Sequence, residues 1–228
     1  MNKNNTEKLE SITKAAKITE EIFEKTIKNF SKFSTEKDAY NFILSEINAR
    51  KLKPSFKPII GSGPGGSEPH HKPSLPITKG FCVIDLGVKV NGYCADLTRT
   101  IYLGEPSQED YKFYNLVLNS QNQAIKEVKA NQKALVPYLT AKKELGEYAE
   151  NFIHGLGHGL GKHIHIKPFM KKETKDTLKE GDIVTVEPGI YFKGKFGIRI
   201  EDDFLITGSE CIPLTVSSRE LVKVSFKG

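Results

Sequence analysis

"FCVIDLGVKVNGYCADLTRTIYL", residues 81–103, decides the fold. Two runs rich in β-branched and aromatic residues flank Asn91-Gly92. That dipeptide suits a two-residue hairpin turn, because both of its residues tolerate positive φ. A turn there sets Val90 opposite Tyr93 and Gly87 opposite Asp96. Side chains alternate faces along a strand, so Asp85, two residues from Gly87, shares a face with Asp96. The two aspartates become diagonal cross-strand neighbours, roughly 7–8 Å apart at the backbone.

The same count works further along. "DIVTVEPGIYF" (182–192) and "FGIRIEDDFLIT" (196–207) flank Lys193-Gly194-Lys195. A three-residue loop sets Phe192 opposite Phe196 and Glu187 opposite Glu201, with Pro188-Gly189 expected to distort the register. A solvated acidic sheet face would explain one such pair. Two pairs, set among Ile84, Leu86, Val186 and Ile200, are harder to explain that way. Buried carboxylates repel one another and lose hydration, so cations must accompany them. Arg99 and Arg199 are close in sequence, but two divalent cations balance four carboxylates more completely. Oxygen-rich ligation with one histidine suits manganese, cobalt or iron, with zinc as a further option.

The histidines are clumped. Four of the six lie in "HGLGHGLGKHIHI", residues 154–166, and the other two are His70 and His71. A Walker phosphate loop is excluded, because His163 follows Gly161-Lys162 and Leu stands at 156. A dinucleotide fingerprint should open a helix, whereas "HIHIKPF" continues as β-like sequence. H-E-x-x-H is absent, and the glycines make a helix through His154 and His158 costly. The stretch is left as a metal site or a polar turn.

The rest of the chain fits a single domain over residues 1–228, with 38% hydrophobic residues. Near-helical apolar spacing predicts a helix over 6–31. A second is expected from Thr35, with Asp38 as its capping-box partner, to about Arg50. Then "PSFKPIIGSGPGGSEPHHKPSLP" (54–76) reads as a strand at "KPII" entering an irregular loop. Helices are expected over 107–131 and 136–149, and a last strand near "ELVKVSF". Strands with helices before and between them indicate one α/β or α+β domain. The net charge of +6 comes from lysines interleaved with glutamates, a solvated helix face, and no zinc-finger or RNA-binding motif argues for nucleic acid. No apolar run is long enough to span a membrane, and the N-terminus lacks a signal-peptide core. Cys82, Cys94 and Cys211 form no C-x-x-C pair, so unpaired thiols in a reducing, cytoplasmic setting are expected.

Taken together, "DLG…ADLTRT", "GLGHGLG…H", "TVEPGIY" and "GIRIED" resemble the pita-bread metallopeptidases, the family of methionine aminopeptidase, aminopeptidase P and prolidase. The resemblance runs from the N-terminal helices to about residue 216. It implies the α+β class and the pita-bread (creatinase/aminopeptidase) fold, a curved antiparallel sheet flanked by helices. It implies five metal ligands in order, Asp85, Asp96, His158, Glu187 and Glu201, holding two divalent ions, manganese first and cobalt, iron or zinc as alternatives. Asp96 and Glu201 would bridge the ions. Hydroxide held between them would attack the scissile carbonyl, and Glu187 would help move the proton. His70, in a P-H-x-x-P-like loop, and His165 would act at the substrate or the tetrahedral intermediate. His154 and Arg199 would also serve substrate binding, with Arg199 orienting the acidic cluster. His71 and His163 are expected to face solvent.

"IIGSGPGGSEPHHKPS", "GYCADLTRT" and "EPGIYF…GIRIEDD" are more similar to the aminopeptidase P and prolidase side, which cleaves before proline. Two departures loosen the expectation of strict Xaa-Pro dipeptide specificity. Members on that side usually carry a separate N-terminal domain, whereas the resemblance here starts at the catalytic domain. The family's H-E-x-P also reads His165-Ile166-Lys167-Pro168. The implied activity is a metal-dependent exopeptidase acting on peptide N-termini. The alternatives are a methionine aminopeptidase or a catalytically silent peptide- or protein-binding module. Expected partners are a peptide and a second copy in a homodimer, with neither nucleic acid nor membrane.

Overall fold

The computed structural model describes residues 3–226, so both ends of the expected 1–228 domain lie outside the described residues. Helix α1 (Lys3–Asn29) buries Ile12, Ala15, Ala16, Ile22 and Phe23 along one face. Helix α2 (Glu36–Ala49) starts where the capping box requires. The Thr35 side chain accepts from the Asp38 N–H, and the Asp38 carboxylate accepts from the Thr35 N–H. Both helices cover strands of the first half: β1 (Lys53–Pro54), β2 (Ile59–Ser62), β3 (Gly80–Leu86), β4 (Val88–Val90), β5 (Tyr93–Cys94) and β6 (Leu97–Leu103). Ile43, Ile47, Ile60, Ile84, Leu97 and Ile101 belong to that core.

The second half repeats the plan. Helices α3 (Gln108–Ile125) and α4 (Leu135–Leu145) cover β7 (Gly157–Gly159), β8 (Ile166–Met170), β9 (Ile183–Val186), β10 (Gly189–Phe192), β11 (Phe196–Arg199), β12 (Asp202–Ile206) and β13 (Cys211–Pro213). Val117, Tyr138, Val184, Ile198 and Ile200 lie in this core. The last strand, β14 (Lys223–Val224), pairs parallel with β6, and every other pairing of named strands is antiparallel among the described residues. Among the described residues no helix is long and apolar enough to cross a membrane.

The helix expected over 107–131 stops at Ile125. Asn131 takes φ 66°, and its N–H donates to Leu178 O, while the Leu178 N–H donates to Gln132 O. Pairing with this distant segment replaces the last turns of helix.

Both hairpins keep the register counted from sequence. Asn91 and Gly92 have φ 50° and 82°, Val90 faces Tyr93, and beyond the turn Leu86 faces Leu97 in the same register. A Cβ at Gly87 would lie 2.0 Å from Ala95 O, so the strands cross at a point only glycine allows. In the second hairpin Phe192 faces Phe196 and Gly189 faces Arg199. Past Pro188 the ladder resumes unchanged with Val186 facing Asp202. Glu187 and Glu201 sit in the gap between those two ladders. The Glu187 N–H donates instead to Leu156 O and the Glu201 N–H to Thr98 O.

Candidate metal centre

These breaks in the ladders gather the acids. One ligand-capable atom each from Asp96, His158 and Glu201 lies within 4.8 Å of the others. His158 Nε2 is 3.4 Å from Glu187 Oε1 and 3.9 Å from Asp96 Oδ2. Asp85 joins through the Arg199 Nη2–H, which donates to its Oδ2 at 2.7 Å. Asp85, Asp96 and Glu201 are buried and Glu187 is half-buried, which removes the solvated-face alternative.

The chemistry of this set fits divalent cations. Asp85 Oδ1, Asp96 Oδ1 and Glu201 Oε1 are buried acceptors that no protein donor reaches among the described residues, and Asp203 Oδ1, on the aspartate that accepts the Asp96 N–H, is a fourth. Buried acceptors are almost always satisfied, so three orphans together call for another electrophile. Burial first, then repulsion among the acids, pushes the Asp96 and Glu201 carboxyls well above the usual range, and burial also raises Asp85. Burial pushes Glu187 up to about 8. Burial, then the His165 ring, pulls His158 down to about 4, which keeps it neutral. Its Nδ1 lies 3.2 Å from Gly159 O and therefore carries the proton. Nε2, the nitrogen facing the acids, is left with the free lone pair that a metal ligand needs.

Arg199 organises the surroundings. Besides Asp85, its guanidinium donates to Thr98 Oγ1 at 3.1 Å, Tyr191 Oη at 2.8 Å and Pro69 O at 3.4 Å. Thr98 in turn donates to Glu201 Oε2. One buried fork thus joins two of the acids to the backbone beside His70. Tyr191 Oη also lies 2.8 Å from His154 Nε2, and His154 Nδ1 lies 2.8 Å from Gly155 O. Burial, then the Arg199 charge, pulls His154 down to about 3, so the chain of donors runs from Arg199 through Tyr191 to His154. Both ring nitrogens of His154 are therefore held by the protein.

A cavity of about 610 Å³ opens over the acids and is lined by His70, His154, His158, His165 and Arg199 as well. His165 is exposed, with its ring centroid 4.4 Å from that of His158 in an edge-on arrangement. His70 is exposed on the loop that follows β2, and His163 faces solvent. His71 does not, contrary to the expectation from sequence. It is buried, and its Nε2 lies 2.7 Å from Oε2 of the fully buried Glu36. That carboxylate also accepts from the N–H groups of Ser62, Ser74 and Leu75, so it ties both ends of the His70 loop to α2.

Sequence reasoning missed Glu36, because nothing local marks a first-turn glutamate as the partner of a histidine 35 residues away. It also missed Gln121 of α3, whose Nε2 donates to Val186 O and Ile200 O, the carbonyls preceding Glu187 and Glu201. A glutamine on the buried face of α3 was the available signal. Asp202 and Asp203 support rather than join the group. Asp202 pairs with Arg99 at 2.6 Å, and Asp203 Oδ2 accepts the Asp96 N–H at 3.0 Å.

The model of metallopeptidase family M24 matches residues 10–208. An Xaa-Pro dipeptidase of Pyrococcus furiosus is 36% identical over 222 residues, 95% of this chain and 64% of the dipeptidase. The crystal structure of an X-Pro aminopeptidase from Thermotoga maritima superposes with a TM-score of 0.92 at 34% identity, over 96% of this chain and 64% of that one. A prolidase from Thermococcus sibiricus gives a TM-score of 0.92 at 39% identity, covering 96% and 61%. The chain thus spans a little under two thirds of the length of these relatives.

Proposed function

Because the chain belongs to metallopeptidase family M24, we propose that it is a metal-dependent exopeptidase that removes N-terminal residues from peptides, with proline preferred in second position. The observation that carries this reading is the trio of orphaned, buried carboxylate oxygens beside a neutral histidine on the floor of an open cavity. The names of the relatives support the proline preference. Asp85, Asp96, His158, Glu187 and Glu201 would hold two divalent ions, manganese by preference. Bound there, the ions supply Lewis acidity and a water of lowered pKa.

The side chains do the rest. Glu187 is the acid a reactant can reach, its side chain being 16% exposed against 7% for Asp96. It takes the proton of the attacking water and delivers it to the leaving amine. His165 and His70, which both line the cavity, donate hydrogen bonds to the oxygen on which charge develops. His154 and Arg199 serve the substrate indirectly, by fixing Asp85 and the His70 loop. The free state of all three thiols supports a reducing, cytoplasmic setting. Assembly as a homodimer is part of the same proposal and rests on the resemblance alone.

Protein purified with manganese should contain about two ions per chain. It should cleave Xaa-Pro and Xaa-Pro-x peptides faster than Met-Ala-x peptides. Cleavage of the methionyl peptides alone would move the chain to the methionine aminopeptidase side. An absence of bound metal, with no gain in turnover on adding it, would leave only a silent binding module.

A further inference from the structure

The acids of the cavity all lie on its floor and are committed to one another, to Arg199 and to cations. Its mouth has the opposite character. Lys37, Lys57, Lys72 and Lys171 line it, each is exposed, and they come from four separate segments. Each segment is fastened to part of the site. Lys37 follows Glu36, the anchor of the His70 loop, and Lys72 follows its partner His71. Lys57 stands two residues before Ile59, which pairs with Asp85. Lys171 follows Met170, which pairs with Gly157, and its Cβ lies 3.1 Å from where a Gly155 Cβ would stand.

Two of these ammonium groups are held by aromatic walls. Lys37 Nζ lies 4.2 Å from the centroid of the Tyr40 ring and Lys171 Nζ lies 5.3 Å from that of Phe169, and both rings line the cavity. A few lysines elsewhere are neutralised by acidic partners, as in Lys25–Glu46, Lys142–Glu150, Lys167–Asp176 and Lys223–Glu105, while many others among the described residues have no such partner on the open surface; the four here lack one around a concave site. Among the described residues, none of the four at the mouth has a carboxylate oxygen within 4.0 Å. A ring of one sign around a concave site raises the local concentration of the opposite charge.

Resting on the peptidase reading above, we propose that Lys37, Lys57, Lys72 and Lys171 form a carboxylate-reading rim that selects peptides whose leaving portion carries a negative charge. The charge is either the terminal carboxylate of a short peptide or an acidic side chain. Part of the net +6 thereby acquires a function.

Two matched pairs separate the sources. Ala-Pro-Ala against its C-terminal amide tests the terminal carboxylate. Ala-Pro-Glu-amide against Ala-Pro-Gln-amide tests the side chain. At low salt the anionic member of at least one pair should show kcat/KM higher by about tenfold, and about 1 M salt should erase the difference. Each Lys→Gln substitution at the rim should lower the preference by about two- to fivefold, and Lys112→Gln, outside the cavity, should leave it unchanged. Calorimetric titration of the same four peptides into metal-free protein reads the rim without turnover and should rank them in the same order. Equal binding and equal kcat/KM within both pairs would overturn the rim even if every peptide is cleaved. Charge-dependent binding without cleavage of any peptide would sustain the rim and sink the peptidase reading.

Discussion

The two hairpins and the two histidine-bearing segments reach the same cavity by different physics. Each hairpin delivers its acids through strand register, a local property set by a two- or three-residue turn and by alternation of faces. The histidine segments have no such register. The His70 loop is held by Glu36 and by the Arg199 contact to Pro69 O, and His154 by Tyr191. Register fixes chemistry from within a segment, whereas tethers fix it from far along the chain. Breaking each kind of support should therefore produce distinguishable failures.

The hairpin side should fail most completely. Asp96→Asn or Glu201→Gln removes one charge from the core of the acidic group while keeping strand pairing. Turnover should fall by at least about 10³-fold, together with loss of bound metal. Full turnover in either variant would dissociate the acids from the chemistry and overturn their assignment as ligands.

The acids also make the metal-free protein sensitive to pH. Burial first, and mutual repulsion second, raises the folded-state pKa of Asp96 and Glu201, and burial raises Asp85 and takes Glu187 to about 8. Between the unfolded carboxylate value, about 4, and these raised values the folded state binds more protons than the unfolded chain. Stability therefore falls as pH rises through that window. His154 and His158 work the other way, because their folded values are depressed, but their gain is complete by about 6.5, the unfolded value. From pH 6.5 to 8 only the carboxylate trend remains. Chelated protein should lose several degrees of Tm across that interval, and manganese should restore more at pH 8 than at pH 6.5. A metal-free Tm that climbs over the interval would contradict the buried acidic group.

The tethers come next. Arg199→Lys keeps the charge and discards the fork, so Asp85 can keep a partner while Tyr191 and Pro69 O lose theirs. Activity should fall by about 10²-fold, as expected when reacting groups are misplaced rather than removed. Metal content should stay close to normal, unlike in the Asp96 variant. Glu36→Gln should cost about 2–4 kcal/mol of stability, since it unpairs a buried cluster of donors. Hydrogen exchange should quicken over residues 62–75. Protection unchanged there would mean that Glu36 does not hold the His70 loop.

The same division explains what was legible in the sequence. Asn91-Gly92, the Lys193–Lys195 loop and the Thr35–Asp38 capping box each encode their geometry within a few residues, and all three appear as read. The early end of α3 and the burial of His71 were not legible, because each depends on a partner tens of residues away, Leu178 in one case and Glu36 in the other. Even Pro188 obeys this rule. It broke the ladder, a local effect, yet it left the register intact because β9 and β12 re-pair beyond it.

The most delicate probe of the tethers is Tyr191→Phe. The hydroxyl accepts from Arg199 Nη1 and donates to His154 Nε2, both at 2.8 Å, and Tyr191 is itself buried. Removing it leaves one guanidinium N–H and one imidazole nitrogen without a partner, at a cost of about 1–3 kcal/mol in stability. Asp85, Thr98 and Pro69 still hold the fork, so kcat should fall by less than about tenfold and metal content should not change. If instead this variant lost as much turnover as Arg199→Lys, Arg199 would act on the site through His154. The acids and the histidine wall would then be one mechanical unit, and the distinction between register and tether would not hold at the cavity.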